Sequence, residues 1–207
     1  MDVFIATPAY HEWLSIEYVA SLAETCIRLT QAEIGVYHAV APGNPFLDLA
    51  RNELVEKFLA SGASDLLFVD ADVGWDAKAV TRVLSHPQEI VGGLVPKRDT
   101  ASESSYHQNA ITGRMQNGLF ETKELPTAFM RIKRSAFAKL EKPYFKIGSN
   151  PKDFGEDIYF CRRWCELGES LWIDSDITFT HRGGKAWKGN FYDHCLNNGM
   201  LRKVEAA

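Results

Sequence analysis

The stretch DLLFVDADVGWD, residues 65–76, sets apolar residues directly before two aspartates separated by one alanine. A continuous apolar run of this kind reads as a strand buried on both faces, as in a parallel sheet covered by helices. Side chains on a strand alternate with a period of two, so Asp70 and Asp72 are expected on one face and Ala71 on the other. Two such carboxylates repel each other unless a cation or a proton lies between them. Hard oxygen ligands suit Mg²⁺ or Mn²⁺, with diphosphate oxygens and water completing the shell. A solvated strand end, with aspartate as turn former or helix cap, fits the same residues.

The flanking pattern gives the strand its context. Upstream, residues 2–8 (DVFIATP) read as a strand closed by Pro8, and 34–40 (IGVYHAV) as a second. Between them, 15–30 has helical spacing at Ile16, Val19, Leu22, Ala23 and Ile27, with Ser15 as N-cap. A helix over 46–62 ends at Gly62, in the position where a left-handed residue stops a helix. Downstream, the spacing predicts a helix over 75–86 and a strand over 89–96. Residues 97–126 are polar and turn-rich, with DTASESS (99–105) expected as a mobile loop. A strand passing into a short helix (126–140), a helix ended by Gly168 (155–168) and one or two strands (171–181) complete the chain. Strand and helix alternate through the first half, so the expected fold is α/β: a mostly parallel sheet with helices on both faces and a less regular second half. Such sheets bind ligands at the carboxyl ends of their strands, where Asp70 and Asp72 stand.

The totals narrow the class. The 207 residues suit one domain, and 45% hydrophobic content is enough for a sizeable core. A net charge of −4, from 27 acidic and 23 basic residues, argues against naked nucleic acid as the main partner. No apolar run reaches the ~18–20 residues of a membrane span, and MDVFIATPAYHEW does not read as a signal peptide, so a cytoplasmic protein is expected. Cys161 and Cys165 lie four apart on a helix and His194 adjoins Cys195, but without tight CxxC knuckles the cysteines read as reduced thiols rather than a zinc cage.

Seven pieces in order resemble the compact GT-A glycosyltransferases related to the inverting sugar transferases. They are FIATPAY (4–10), ARNELV (50–55), LLFVDADV (66–73), VGGLVPKR (91–98), TAFMRIKRSAF (127–137), GEDIYFCRRWCELG (155–168) and FTHRGG (179–184). The resemblance implies one GT-A domain over 1–207, with a nucleotide-sugar-binding half (1–98) and an acceptor-side half (99–207) that carries a C-terminal closing segment. It implies that Thr7, Pro8, Ala9 and Tyr10 line the nucleoside pocket, Tyr10 against the base. Arg51 is implied as a contact to base or phosphate, with a surface helix arginine as the plain alternative. Ala71 and Lys97 fall within the donor site, Asp70 holds the ribose or the metal's water shell, and Asp72 ligates the metal directly. His181 is implied as a further metal ligand, which favours Mn²⁺ over Mg²⁺. Arg182 and Lys185, with Lys188, would close over the diphosphate; a solvated basic tail is the alternative. Of the two acids opening the 155–168 helix, Asp157 is implied as the general base and Glu156 as orienting the acceptor. The helix dipole alone also accounts for acids there, and was expected to keep them ionised.

The expected function is therefore metal-dependent, inverting transfer of a hexose from a nucleotide-diphospho-sugar, UDP-sugar before GDP-sugar, to an acceptor hydroxyl. The acceptor stays open: a glycan, a protein, a lipid-linked sugar or a modified nucleic acid. Two alternatives stand beside this. LLFVDADVGW also resembles the first motif of haloacid-dehalogenase-type phosphatases, with Asp70 as nucleophile and Asp72 as acid/base. A nucleotide-sugar-binding module without turnover is the other. A nucleotidyltransferase would want a Gly-rich basic loop after the first strand, and TPAYHEW has none.

Overall fold

The computed structural model describes residues 1–98, 106, 111–116, 118–148, 155–183 and 186–200. The chain opens with β1 (Asp2–Ala9), α1 (Ile16–Gln31), β2 (Gly35–Pro42) and α2 (Leu47–Ser61). It then reaches the apolar run as β3 (Asp65–Val69), with all five side chains buried. Next come β4 (Val73–Trp75), α3 (Ala79–Ser85), β5 (Ile90–Gly92), β6 (Ile111–Gln116), β7 (Leu119–Thr122), β8 (Phe129–Lys133) and α4 (Arg134–Ala138). The chain continues through α5 (Glu156–Glu166), β9 (Leu171–Asp174), β10 (Thr178–Arg182), β11 (Ala186–Asn190) and α6 (Phe191–Asn197).

Eight strands form the main sheet in the order β2-β1-β3-β8-β5-β9-β7-β6. β1 runs parallel to β2 and β3, and β5 parallel to β9, while β8 and β7 are antiparallel to their neighbours. Six strands thus point one way and two the other, the mostly parallel α/β sheet expected. One apolar cluster packs α1 and α3 on one face, around Tyr18, Trp75, Val80 and Phe179. A second packs α2 and α5 on the other, around Phe58, Phe68, Phe160 and Trp164. The four cysteines carry free thiols.

Three expectations are corrected. The helix expected from Trp75 begins only at Ala79, because Val73–Trp75 is drawn out as β4 against β10. Within 97–126, expected to lack regular structure, β6 and β7 pair antiparallel and extend the sheet, with Gly118 left-handed (φ 77°) just before β7. DTASESS lies outside the described residues. On α1, Ser15 caps as expected, its Oγ accepting from the Tyr18 N–H at 3.1 Å. The buried face, however, is Tyr18, Ser21, Thr25 and Leu29, with Ile16 71% and Ile27 60% exposed. Hydrogen bonding explains the rotation. Ser21 Oγ accepts the Trp75 N–H and donates to the Trp75 carbonyl, both at 2.9 Å, and Thr25 Oγ1 accepts from Trp75 Nε1 at 2.8 Å. Satisfied in this way, the polar groups are buried without penalty. Gly74 permits the approach: a Cβ there would lie 2.8 Å from Glu17 Cβ.

Two arginines of the β8–α4 segment hold loops around this frame. Arg134 donates to the carbonyls of Phe58, Leu59 and Ala63, the unpaired acceptors at the C-terminus of α2, where Gly62 stops the helix at φ 80°. Arg131, fully buried in β8, does the same for Val83, His86, Gln88 and Glu89. No helix among the described residues is long and apolar enough to cross a membrane.

Candidate active site

β3 stops at Val69, and the chain turns at once, the Val73 N–H donating to the Asp70 carbonyl at 3.1 Å. The turn breaks strand alternation, so the two aspartates do not share a strand face as expected; they diverge. Asp70 Oδ1 accepts from Arg51 Nη2 at 3.0 Å, and Asp72 Oδ2 is ion-paired with Arg98 Nη1 at 2.9 Å. Each carboxylate thereby has its own cation, which removes the repulsion that a shared face would impose. Both still border one cavity.

His181 reaches this turn through pairing. β10 lies antiparallel to β4 with His181 opposite Val73, and the Arg182 N–H donates to the Asp72 carbonyl at 2.8 Å. His181 Nδ1 lies 2.7 Å from the Pro96 carbonyl oxygen. A carbonyl only accepts, so Nδ1 carries the proton, and in the neutral ring Nε2 keeps a lone pair. That nitrogen faces Asp72 Oδ2 from 3.6 Å, beyond hydrogen-bond reach. Burial pushes the Asp72 pKa up, but His181, where its ring also carries a proton on Nε2, and Arg98 more than offset it and hold the carboxyl below its ordinary value.

Arg51 is not a surface arginine. It is 1% exposed on α2, with Nη2 on Asp70 and Nε on Glu156 Oε1 at 2.9 Å, so it acts as an internal clamp, while its Nη1 has no hydrogen-bond partner among the described residues and the residue borders a cavity. Desolvation opposes its charge, but the two acids outweigh that and raise its pKa. Glu156 is buried and paired to Arg51. Asp157 is the more independent acid. Burial first, then the Glu156 charge, pushes its pKa up to about 6, against the weaker pull of the Ile158 N–H and Arg51. The helix N-terminus was expected to keep this carboxylate ionised; desolvation outweighs the helix terminus in setting its pKa, and at about 6 the group is still mostly ionised at neutral pH.

Two cavities meet here. One of 420 Å³ is lined by Pro8, Ala9, Tyr10, Trp13, Arg98 and Asp72, among others. The second, of 260 Å³, is lined by Arg51, Lys97, Thr127, Glu156, Asp157 and their neighbours. Leu47, Asp70 and His181 border both, so they form a common wall. A larger groove of 690 Å³ beside α3 holds none of the candidate residues, and its Arg82 is already paired with Asp174 and Asp176.

The expected residues therefore divide. Pro8, Ala9, Tyr10, Asp70, Ala71, Asp72 and His181 gather at the larger cavity. Lys97 and Asp157 line the smaller. Thr7 does not reach either: it is fully buried, hydrogen-bonded to the Tyr18 hydroxyl, which also bonds His38 Nε2. The Arg182 side chain turns to Glu17 at 3.1 Å, and Lys185 lies outside the described residues. Lys188 sits on β11 opposite Thr180. Sequence reading missed Arg98, Trp13, His11 and Leu47. For Arg98 a signal existed, since it follows Lys97 in VPKR, but only the turn of the chain decides which of the two faces Asp72. Among the described residues, no group of three or more His, Cys, Asp and Glu side chains is arranged to hold a metal ion.

No family model and no curated protein matches this chain. Among solved structures, A197 from STIV superposes with a TM-score of 0.61 at 17% identity, covering 88% of this chain and 86% of that one. The chain shares that fold. Looser likenesses are to S. aureus TarS 1-349 (TM-score 0.48, 12% identity, 84% of this chain and 58% of that one). The inositol-1-phosphate CTP transferase of T. maritima is similar at the same level (TM-score 0.48, 9% identity, 87% and 88%).

Proposed function

We propose that the protein is a metal-dependent glycosyltransferase of the GT-A kind, moving a hexose from a nucleotide-diphospho-sugar to an acceptor hydroxyl with inversion. The observation that carries this reading is the common wall of Leu47, Asp70 and His181 between two cavities, one bordered by Asp72 and the other by Asp157. Transfer between two substrates needs two adjoining compartments, with charge stabilisation in one and a proton acceptor in the other.

In this reading the donor occupies the larger cavity, its nucleoside against Pro8, Ala9 and Tyr10. Asp72 and His181 are the residues that would hold the divalent ion. Their donor set fits: a carboxylate oxygen faces an imidazole nitrogen whose partner nitrogen is fixed by a carbonyl, the usual support of a metal-bound histidine. An imidazole ligand favours Mn²⁺, with Mg²⁺ second. When bound, the ion offsets charge on the departing diphosphate. Asp70, held by Arg51, serves the ribose or the ion's water. The acceptor enters the smaller cavity. Its oxygen attacks the anomeric carbon from the face opposite the diphosphate. A new carbon–oxygen bond forms as the bond to the phosphate oxygen breaks, and that electron pair leaves on the diphosphate. Asp157 takes the hydroxyl proton; a pKa of about 6 leaves it mostly ionised at neutral pH yet basic enough for the task. Glu156 fixes Arg51 rather than the acceptor.

A thermal-shift screen of UDP-, GDP-, CMP- and dTDP-sugars, each with Mn²⁺ and with EDTA, tests the reading. A metal-dependent rise with one nucleotide, absent in Asp72→Ala, is expected and names the donor base. No rise with any nucleotide sinks it. Release of phosphate from an aryl phosphate, blocked in Asp70→Asn, would favour the phosphatase reading instead.

A further inference from the structure

Asp72 already has a cation partner. Arg98 Nη1 forms an ion pair with Asp72 Oδ2 at 2.9 Å and donates a hydrogen bond to the Arg182 carbonyl at 3.3 Å, and the Arg98 side chain is 49% exposed. His181 Nε2 faces that same Oδ2 from 3.6 Å. An ion held by Asp72 and His181 needs the oxygen that Arg98 occupies, so guanidinium and ion compete for one atom. Two cations on one carboxylate oxygen also repel, so the arrival of either loosens the other. Arg98 borders the larger cavity together with Tyr10, Asp70 and Ala71, so a guanidinium released from Asp72 stays beside that space. Its planar fork matches the oxygens of a diphosphate better than an ammonium would.

We propose that Arg98 is an exchanging counter-ion: it neutralises Asp72 in the free protein and passes to the donor's diphosphate when the divalent ion takes Asp72. This rests on the transferase reading and adds to it a positioning residue with a definite thermodynamic signature. A diphosphate that draws Arg98 away frees Asp72 for the ion, and an ion that displaces Arg98 frees it for the diphosphate. Each ligand therefore raises the other's affinity, by the same factor, beyond what their direct contact supplies. Arg98→Gln removes the competitor and the second partner together.

The test is Mn²⁺ affinity from water-proton relaxation, with and without UDP or GDP, for the native chain, Arg98→Gln and Asp72→Asn. Without nucleotide, Arg98→Gln is expected to bind Mn²⁺ about two- to fivefold more tightly, the range for a half-exposed ion pair. With nucleotide present that advantage should vanish or reverse, and Asp72→Asn should bind weakly throughout. Circular dichroism checks that the half-exposed substitution leaves the fold intact. Equal Mn²⁺ affinity of the native chain and Arg98→Gln without nucleotide overturns the exchange; Asp72-dependent nucleotide binding in that experiment leaves the transferase reading standing. Binding of neither ion nor nucleotide by any of the three overturns both.

Discussion

Nε of Arg51 donates to Oε1 of Glu156 across 2.9 Å, joining residues 105 positions apart and tying α2 to the first turn of α5. The other end of the same guanidinium holds Asp70, so one buried arginine sets the spacing between the turn after β3 and the start of α5. Arg51→Met leaves two poorly solvated carboxylates without their cation and is expected to cost about 3–5 kcal/mol in urea denaturation. Arg51→Lys restores charge but not the fork, and should recover only part of that. A loss below about 1 kcal/mol in Arg51→Met would refute the clamp.

Asp157 predicts a pH dependence of stability. Its folded pKa of about 6 lies above the ordinary value of 3.8, so the folded state binds the proton more tightly than the unfolded state. The sign follows: relative to a neutral side chain this residue contributes nothing below about pH 4, a penalty grows between about pH 4 and 6 as the more tightly held proton is lost, and the penalty is constant above. Asp157→Asn should therefore raise stability at pH 7 by on the order of 2 kcal/mol, the partial exposure of the group discounted, and leave it unchanged near pH 3.5. Thermal melts of both proteins across pH 3.5–8 check this. Transfer activity should be lost in the same variant while donor binding persists.

His181 predicts a split between folding and ion binding. It sits near the end of β10, and its ring is anchored through Nδ1 to Pro96. His181→Ala should leave the melting temperature within a few degrees but weaken Mn²⁺ by at least about tenfold, the lower end of the cost of losing even an outer partner. Isothermal titration with nucleotide present separates the two effects.

Gly93 predicts action at a distance. A Cβ at this position would meet the Phe179 ring at 2.4 Å. Phe179 lies two residues before His181 on β10, so Gly93→Ala is expected to push on the strand that carries the candidate ligand. The expected result is about 1–3 kcal/mol of destabilisation, the ordinary cost of overpacking, with a loss of Mn²⁺ affinity larger than that of a surface control. Unchanged metal affinity would mean that Phe179 yields by rotating in place.

Local patterns were legible where local physics decides. The β3 run, the left-handed stops at Gly62 and Gly168 and the Ser15 cap all emerged because buried strands, positive φ and an unpaired N–H each leave a mark on neighbouring residues. The β6–β7 hairpin was not read: the dipeptide Asn117-Gly118 is a turn signal in the sequence, but the polar composition around it masked the flanking strands. The α1 face was not legible, because apolar periodicity pointed to Ile16 and Ile27 while hydrogen bonds to Trp75 buried Ser21 and Thr25.

From the sequence alone came the α/β class, the carboxyl-end position of Asp70 and Asp72, and the candidacy of Asp157 and His181. Each rests on short-range spacing or on the order of pieces along the chain. Only the tertiary structure decided what those groups face. Pairing of β10 with β4 brings His181 to Asp72, 109 positions away in sequence, and the turn at 70–73 separates two aspartates that strand alternation would have kept together. Burial then set their charges: it made Arg51 an internal clamp, and raised the Asp157 pKa where the helix terminus alone would have kept it low. Spacing along a chain fixes which atoms are neighbours in sequence; desolvation and long-range pairing fix their chemistry, and both depend on residues far away along the chain.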